Sequence, residues 1–208
     1  MSSVEQKSPE PKRGRPIQYD PEKALSRATN VFWRNGLSGT SLDSLSESTR
    51  MSKPSLYGAH GDKRDWYLAA MNRYIEGSRA QMENALARDV PLASALQRVY
   101  DLALALYFSD AKTPLGCFLI GTSTSEAARD ADVRERLGAG LQAFNAAFEA
   151  RLRLAKESAE LSREADPALL AQMASAVLFS IALRARAGHA RSALRAFSRR
   201  AVALLCDA

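Results

Sequence analysis

The sequence predicts an all-α protein of about nine helices, with three short helices first and longer ones after them. From Asp20 onward, apolar residues recur at helical spacing, and Ala24, Ala28, Val31 and Phe32 fall on one face of the first helix. Helix start and stop residues punctuate the rest of the chain at intervals typical of helices. No segment shows the alternation of Val, Ile and Thr that is typical of strands.

Length and composition point to a soluble, cytoplasmic protein. The 208 residues are 46% apolar, which is enough to bury a core. No run approaches the ~18 to 20 uninterrupted apolar residues of a membrane helix, and no apolar run follows the first charges as in a secretory signal. The two cysteines, Cys117 and Cys206, lie too far apart to indicate a disulfide framework or a metal site. We therefore expect no membrane partner, no metal and no cofactor.

Positive charge is concentrated near the N-terminus. The formal net charge is +6, and residues 1–64 hold 11 basic and 7 acidic side chains. This excess suggests contact with a polyanion, although a run of charge is as often a solvated surface.

The first helices have recognisable boundaries. Residues 1–18 contain almost no large apolar residue and are interpreted as a flexible basic arm. Residues 20–22, Asp-Pro-Glu, predict a helix start with Pro in the first turn, and Gly36 predicts its end. Thr40 is expected to cap a second helix. Ser52 is expected to cap a third, short helix.

A long fourth helix is expected to restart at Gly61-Asp62 and to reach Ala87. The order of a long helix, a short helix, a tight turn and another short helix is that of a helix-turn-helix, whose second short helix can enter the major groove of DNA. The N-termini of the two short helices offer free backbone N–H groups to phosphate oxygens.

Residues 20–68 resemble the DNA-binding domain of the TetR/AcrR family of bacterial transcriptional regulators. The matching positions are Ala28, Phe32, Gly36, Gly39-Thr40-Ser41-Leu42, Ser52-Lys53-Pro54-Ser55-Leu56-Tyr57 and Gly61-Asp62-Lys63. The resemblance implies that Thr40 and Ser41 start the second helix. It implies phosphate contacts for Thr40, Tyr57 and Lys63, and base reading for Ser52, Lys53 and Ser55.

Two positions depart from the family pattern. Arg50 stands in the turn where Gly is usual, and a non-Gly residue in a left-handed turn costs about 1 kcal/mol. Arg50 either contacts a phosphate or is a solvated turn residue. His60 replaces the usual aromatic residue, and either fills its place in the core or makes a pH- or phosphate-sensitive contact.

The arm carries a second DNA-binding signal. Lys12-Arg13-Gly14-Arg15-Pro16 contains the Arg-Gly-Arg-Pro core of an AT-hook. Its Gly permits an extended backbone, so that Arg13 and Arg15 can lie along a narrow A·T minor groove. The alternative is a solvated basic tail, and an architectural protein that uses the hook is a related functional alternative.

The resemblance also implies that the later helices bind a small molecule and form a dimer. The last two helices are apolar over a wide face, and an intra-chain core explains such stripes as well as a four-helix dimer interface does. Their apolar residues at helical spacing are Leu170, Met173, Val177, Ile181, Leu194, Phe197 and Leu204, and their small residues are Ala174, Ala176 and Ala182.

Several aromatic residues are candidate walls of a ligand pocket, although most aromatic residues at helical spacing belong to a plain core. The aromatic candidates are Trp66, Tyr74, Tyr107, Phe108, Phe118, Phe144 and Phe148, and Cys117 is a further ligand-binding candidate. Cys117 follows Pro114-x-Gly116 at a predicted helix start, as in family branches that sense electrophiles or oxidants, and a helix N-terminus can lower a thiol pKa. The alternative is a small buried apolar residue.

These features predict three regions: an arm at 1–18, a helix-turn-helix domain at 19–64, and a ligand-binding and dimerisation domain at 65–208. We expect a homodimeric transcriptional regulator that binds a palindromic double-stranded DNA operator and is released by a small-molecule effector. Repression is expected, with activation left open, and a thiol sensor acting through Cys117 is the alternative. No catalytic constellation is recognisable, so an enzyme is not expected.

Overall fold

The structure, a computed structural model, describes residues 19–110 and 113–207. Within these ranges the chain forms eight α-helices and a short π-helical segment, with one further 3-10 turn and no strand, which confirms the predicted all-α class. The helices are α1 (Pro21–Asn35), α2 (Leu42–Thr49), α3 (Lys53–His60), α4 (Lys63–Ala85), α5 (Leu92–Tyr107), α6 (Ala131–Glu157), α7 (Pro167–Arg186) and α8 (Arg191–Cys206). The π segment (Leu119–Ser123) and the turn Glu126–Ala128 connect α5 to α6.

Helix α1 begins and ends where the sequence predicts. The Asp20 side chain accepts a hydrogen bond from the Lys23 backbone N–H at 3.2 Å, and Pro21 occupies the first turn. Gly36 ends the helix with a φ of 69°, a conformation that glycine adopts without steric cost.

Helix α2 starts one residue later than predicted, so the expectation that Thr40 caps it is wrong. The N-cap is Ser41, whose hydroxyl accepts from the Ser44 N–H at 3.0 Å while the Ser44 hydroxyl accepts from the Ser41 N–H at 3.1 Å. The Thr40 hydroxyl instead donates to the Gly36 carbonyl at 2.6 Å, which turns it toward the end of α1. The helix ends at Arg50, which has the left-handed φ of 60° expected for this turn.

The buried side of helix α3 packs against the core formed with the neighbouring helices. Ser52 is its N-cap, as predicted, and Leu56 is fully buried in the common core with Phe32 and Leu45. The indole N–H of Trp66 on α4 donates to the Leu56 carbonyl at 3.0 Å. Because Trp66 is itself fully buried, this bond fixes α3 against the first turns of α4.

The body, by which we mean α4 to α8 with the segment between α5 and α6, is built from paired helices. α6 packs along α7, α5 packs along α8, and α4 lies between α1 and α6. The segment before α6 touches α7 closely, since a Cβ on Gly116 would stand 2.5 Å from the Ala182 carbonyl oxygen. Gly116 also has a φ of 64°, so both its backbone and its close approach require glycine.

Helix α7 is apolar along much of its length. By length and composition alone it could cross a membrane, because an 18-residue window has a mean hydropathy of 1.7. The core helix of a soluble protein passes the same test, and 44% of that window is buried in the fold. One face of α7 packs on α6, while Leu169, Met173 and Leu183 remain exposed.

Replacing Arg50 by Gly should stabilise the protein by about 0.5 to 1 kcal/mol, because glycine adopts the left-handed conformation without the Cβ penalty. Chemical denaturation of the R50G variant measures this difference. Glu47→Gly, inside α2, serves as the matched control and should destabilise by a similar amount. A loss of stability in R50G would contradict this account of the turn.

Candidate functional site

Helix α3 presents a polar face to solvent. Lys53, Pro54, Ser55 and Tyr57 are all exposed, whereas Leu56 between them is buried. Tyr57 is 52% exposed despite being a large aromatic residue. An exposed aromatic ring beside a lysine and two serines suits contact with the sugar-phosphate backbone and with base edges.

The polar groups of this face are held by weak, exposed interactions. The Ser52 and Ser55 hydroxyls lie 2.8 Å apart, and the Ser52 hydroxyl accepts from the Ser55 N–H at 3.3 Å. The Lys53 ammonium contacts the Asp43 carboxylate at 2.6 Å. An exposed ion pair of this kind is worth at most about 1 kcal/mol, so Lys53 can exchange Asp43 for a phosphate.

The residues predicted to contact phosphates, Thr40, Tyr57 and Lys63, differ in their exposure to solvent, and Ser41 lies next to Thr40. Tyr57 and Ser41 are exposed, whereas Thr40 is only 2% exposed and its hydroxyl is already bonded. The Lys63 ammonium donates to the Thr40 carbonyl at 2.9 Å. The structure therefore presents Ser41 rather than Thr40, and it ties the first residue of α4 to the start of α2. The arm residues Arg13 and Arg15 lie outside the described residues.

His60, at the end of α3, packs in the place expected of an aromatic residue. Its ring lies 4.4 Å from the Trp66 ring in an edge-to-face arrangement, and the residue is half-buried. This contact favours the packing interpretation over a sensing role.

An ion-pair cluster joins the start of α4 to the start of α6. The Arg64 guanidinium donates to Asp130 at 2.5 and 2.8 Å and to Asp132 at 2.6 Å. Asp130 also caps α6 by accepting from the Asp132 and Val133 N–H groups. The guanidinium, with these backbone donors, lowers the pKa of Asp130 to about 2. The sequence did not predict this cluster, since Arg64 lies 66 and 68 positions from Asp130 and Asp132.

A second connection, between α1 and the body, is made by aromatic rings and was also not predicted from the sequence. Trp33 on α1 packs edge-on against Tyr74 at 5.2 Å, and its indole N–H donates to the Gly116 carbonyl at 3.1 Å. Phe118 stacks on Tyr74 at 5.5 Å and on Tyr67 at 5.7 Å. We call Phe32, Trp33, Tyr67, Tyr74 and Phe118 the aromatic cluster. In the sequence, only the adjacent aromatic residues Phe32 and Trp33 could have indicated this cluster. Adjacent residues on a helix face different directions, so two aromatic side chains in a row must pack against different neighbours.

Next to the aromatic cluster, α4, α5, α6 and α7 enclose a small cavity. Its volume is about 40 Å³, which is room for about three water molecules. Its lining residues are Tyr74, Ser78, Gln81, Met82, Val99, Leu102, Ala103, Leu106, Tyr107, Phe144 and Leu178. A surface groove between α1 and α4 shares Tyr74, Ser78, Gln81 and Leu106 with the cavity, and Trp33 lines this groove.

The structure brings only part of the predicted ligand-binding set to this cavity. Tyr74, Tyr107 and Phe144 line it. Trp66 packs under α3 instead, Phe118 lies inside the aromatic cluster, and Phe148 packs on Tyr100 at 6.1 Å. Phe108 ends α5 and is half-buried outside the cavity. The aliphatic walls were missed because their spacing does not differ from that of a plain core.

Cys117 lies behind Tyr74 rather than in the cavity lining. The residue is 3% exposed, and the Tyr74 hydroxyl donates to its Sγ at 3.3 Å. Burial raises the pKa of the Cys117 thiol more than the neighbouring N–H groups of Leu119 and Ile120 lower it. Desolvation of the thiolate outweighs any effect of the helix N-terminus, and the burial matches the interpretation of Cys117 as a small buried residue.

The last two helices divide their apolar residues between two faces. Leu170, Ile181 and Leu194 are buried within the chain, as are Ala174 and Ala182. Met173 on α7 and Phe197 on α8 are exposed, and Leu204 is 73% exposed. We call Leu169, Met173, Leu183, Phe197 and Leu204 the exposed apolar face. Among the described residues, no group of three or more His, Cys, Asp or Glu side chains could hold a metal ion.

Comparisons with known proteins agree with this architecture. Residues 92–201 match the family described as "Tetracyclin repressor-like, C-terminal domain". The chain belongs to the TetR family of transcriptional regulators. The match covers α5 to α8, a part of the chain that the resemblance of residues 20–68 to the family's DNA-binding domain does not include.

Individual TetR-family relatives are similar over most of the chain. The transcriptional repressor ComR of Escherichia coli is 28% identical over 85% of this chain and 84% of its own length. The regulator CifR, solved as a cysteine mutant with a 26-base-pair operator, is 28% identical, with a TM-score of 0.78 over 91% of this chain and 98% of CifR. The reduced form of Escherichia coli NemR, 19% identical with a TM-score of 0.76 over 89% of this chain and 94% of NemR, shares the fold.

Replacing Arg64 by Met should raise the pKa of Asp130 from about 2 toward its ordinary value of 3.8, because the guanidinium that favours the carboxylate is removed. In the wild type the ion pair stabilises the fold at neutral pH, and this contribution is lost as the pH falls from about 3.8 through about 2. Carboxyl NMR titration and acid unfolding curves measure both effects. Arg79→Met, which removes an exposed pair with Glu83, is the control and should leave Asp130 unchanged.

Proposed function

We propose that the protein is a homodimeric, DNA-binding transcriptional repressor that occupies a palindromic operator and releases it when a small molecule binds the body. The observation that carries this proposal is the exposed face of α3, on which Lys53, Ser55 and Tyr57 surround a buried Leu56. Repression rather than activation is proposed because ComR and BdcR of Escherichia coli are both named as repressors.

In this proposal α3 enters the major groove while the start of α2 contacts the backbone. Lys53 and Ser55 are proposed to reach base edges, with Ser52 beside them, and Ser41, Tyr57 and Lys63 are proposed to contact phosphates. Arg13 and Arg15 of the arm are proposed to follow the adjacent minor groove. Arg50, exposed at the turn, is available for a further phosphate.

The exposed apolar face supports a dimer of two copies through α7 and α8. Soluble monomers seldom leave several large apolar side chains on one face, and pairing two helices from each copy would cover them. A two-fold dimer would place two α3 helices about 34 to 36 Å apart, one turn of B-DNA. We propose that this dimer is a soluble, cytoplasmic protein.

The effector is proposed to act through Tyr74. This residue lines the cavity on one side and packs against Trp33 of α1 on the other. A molecule that enlarges the cavity would displace Tyr74, tilt α4 and move Lys63 and α3 out of register with the operator. A full switch needs a preference of about 5 kcal/mol for the released state.

A thiol sensor acting through Cys117 is the second candidate, favoured by the contact between its Sγ and the cavity residue Tyr74. Its burial and raised pKa predict slow reaction. Alkylation with N-ethylmaleimide should therefore leave operator binding unchanged on a timescale of minutes in both the wild type and C117A. Rapid release that occurs in the wild type and in C206A, but not in C117A, would establish the sensor instead.

Replacing Lys53 or Tyr57 by Ala should weaken operator binding at least about ten-fold without changing thermal stability, because both side chains are exposed. Binding of a genomic operator fragment at fixed salt measures the effect. Arg163→Ala is the matched control. Arg163 is exposed and follows the C-terminal end of α6, and the 27 residues of this helix span about 40 Å from Asp130 at its start. Unchanged operator affinity in both α3 variants would exclude α3 as the DNA-reading helix.

Replacing Leu204 by Glu should convert the dimer to a monomer, because it places a charge on the exposed apolar face that the proposed interface covers. Sedimentation velocity at micromolar protein measures the change, and operator affinity should fall with it. Ala80→Glu, on an exposed side of α4, is the control and should remain dimeric. A dimeric L204E would place the interface elsewhere.

A further inference from the structure

The lining of the cavity between α4, α5, α6 and α7 has no charged side chain. Of its 11 residues, seven are aliphatic or Phe, and the rest are the polar but uncharged Tyr74, Ser78, Gln81 and Tyr107. Other surface grooves differ, since the groove along α4 and α6 carries Arg79, Glu83 and Arg151. A charged ligand in the cavity would lose its hydration without gaining a counter-ion.

The two phenols at the inner end of the cavity cannot supply a charge either. Burial raises the pKa of both Tyr74 and Tyr107 well above the usual value, so both stay protonated and neutral. The ring of Tyr74 is also packed against Phe118 and Trp33, which leaves it poorly placed to receive a cation on its face. Hydrogen bonding from a neutral hydroxyl, carbonyl or ether group matches the polar side chains present.

The side chains at the outer wall explain how a ligand could enter a cavity of only about 40 Å³. Leu106 is half-buried and lines both the cavity and the groove against α1, so rotation of its side chain opens the space toward that groove, while Leu102 is exposed on α5. Backbone movement is needed for anything large, because drug-sized ligands fill pockets of about 300 Å³ or more. The entrance favours a compact molecule.

We propose that the effector is a compact, uncharged, mainly apolar molecule with one hydrogen-bonding group, which binds between α4 and α5 against Tyr74 and Tyr107. This assignment rests on the proposed effector-binding role of the cavity and names its ligand class. Ser78 and Gln81 lie on α4 at the mouth, where the cavity meets the groove against α1, and the charged residues Arg73 and Glu76 line that groove but not the cavity.

Three probes of equal shape test the ligand class: 4-ethylbenzyl alcohol, 4-ethylbenzoate and 4-ethylbenzylammonium. Calorimetry with the full chain at pH 7 should give the alcohol an affinity at least about ten-fold higher than either ion. Ala103→Leu, which fills the cavity, should weaken the alcohol at least about ten-fold, with a melting curve to verify folding. Equal or tighter binding of either ion, or binding of none of the three, would overturn the assignment.

A charge introduced at the mouth supplies a second, independent test. Gln81→Glu should strengthen binding of 4-ethylbenzylammonium several-fold and weaken 4-ethylbenzoate, because the new carboxylate faces the ligand. Gln142→Glu, an exposed change on α6 outside the lining, is the matched control and should alter neither probe. Identical behaviour of the two variants would contradict binding at this mouth.

Operator release, measured with the same probes, separates this assignment from the proposed function. If the alcohol binds with the expected preference but leaves operator affinity unchanged, the ligand class holds and effector control fails. If an ion releases the operator more effectively than the alcohol, effector control holds and the ligand class fails.

Discussion

The position of Trp33 is the constraint on which the rest of the structure depends. This residue belongs to α1, but its indole donates to Gly116 in the body and its ring packs on Tyr74 and Phe118. It is 5% exposed, so an unmade indole hydrogen bond there would cost about 1 to 3 kcal/mol. Because α2 and α3 share their core with α1, fixing Trp33 fixes the exposed face of α3 relative to the body.

The polar contacts around this point act in the same direction. Arg64 ties the first turn of α4 to the start of α6, and Lys63 ties it to the Thr40 carbonyl before α2. Ser38 donates to Glu126 at 2.7 Å across the same boundary. The start of α4 therefore cannot move without breaking contacts on both sides, which is the property required of an element that transmits a signal between a ligand cavity and a DNA-reading helix.

Local features were predictable from the sequence, and long-range contacts were not. Asp20, Gly36 and Ser52 act over a few residues, so capping and turn chemistry located the ends of α1 and α3. The prediction that Thr40 caps α2 was wrong because either of two neighbouring hydroxyl residues can cap a helix. The hydrogen bond from the Thr40 hydroxyl to the Gly36 carbonyl leaves Ser41 as the cap. Only Tyr74, Tyr107 and Phe144 of the 11 cavity-lining residues were predicted, since Met82, Val99 and Leu178 follow the same helical spacing as any core residue. The pKa of Cys117 depended on burial, which the local motif does not encode.

Native-state hydrogen exchange of wild type and Trp33→Phe tests the central claim most directly. If Trp33 locks α1 to the body, the wild-type amides of α1 exchange with the same opening free energy as those of α4 and α6, and W33F lowers protection in α1 to α3 while leaving α6 and α7 unchanged. Independent opening of α1 to α3 in the wild type, or equal protection in the two proteins, would contradict the account.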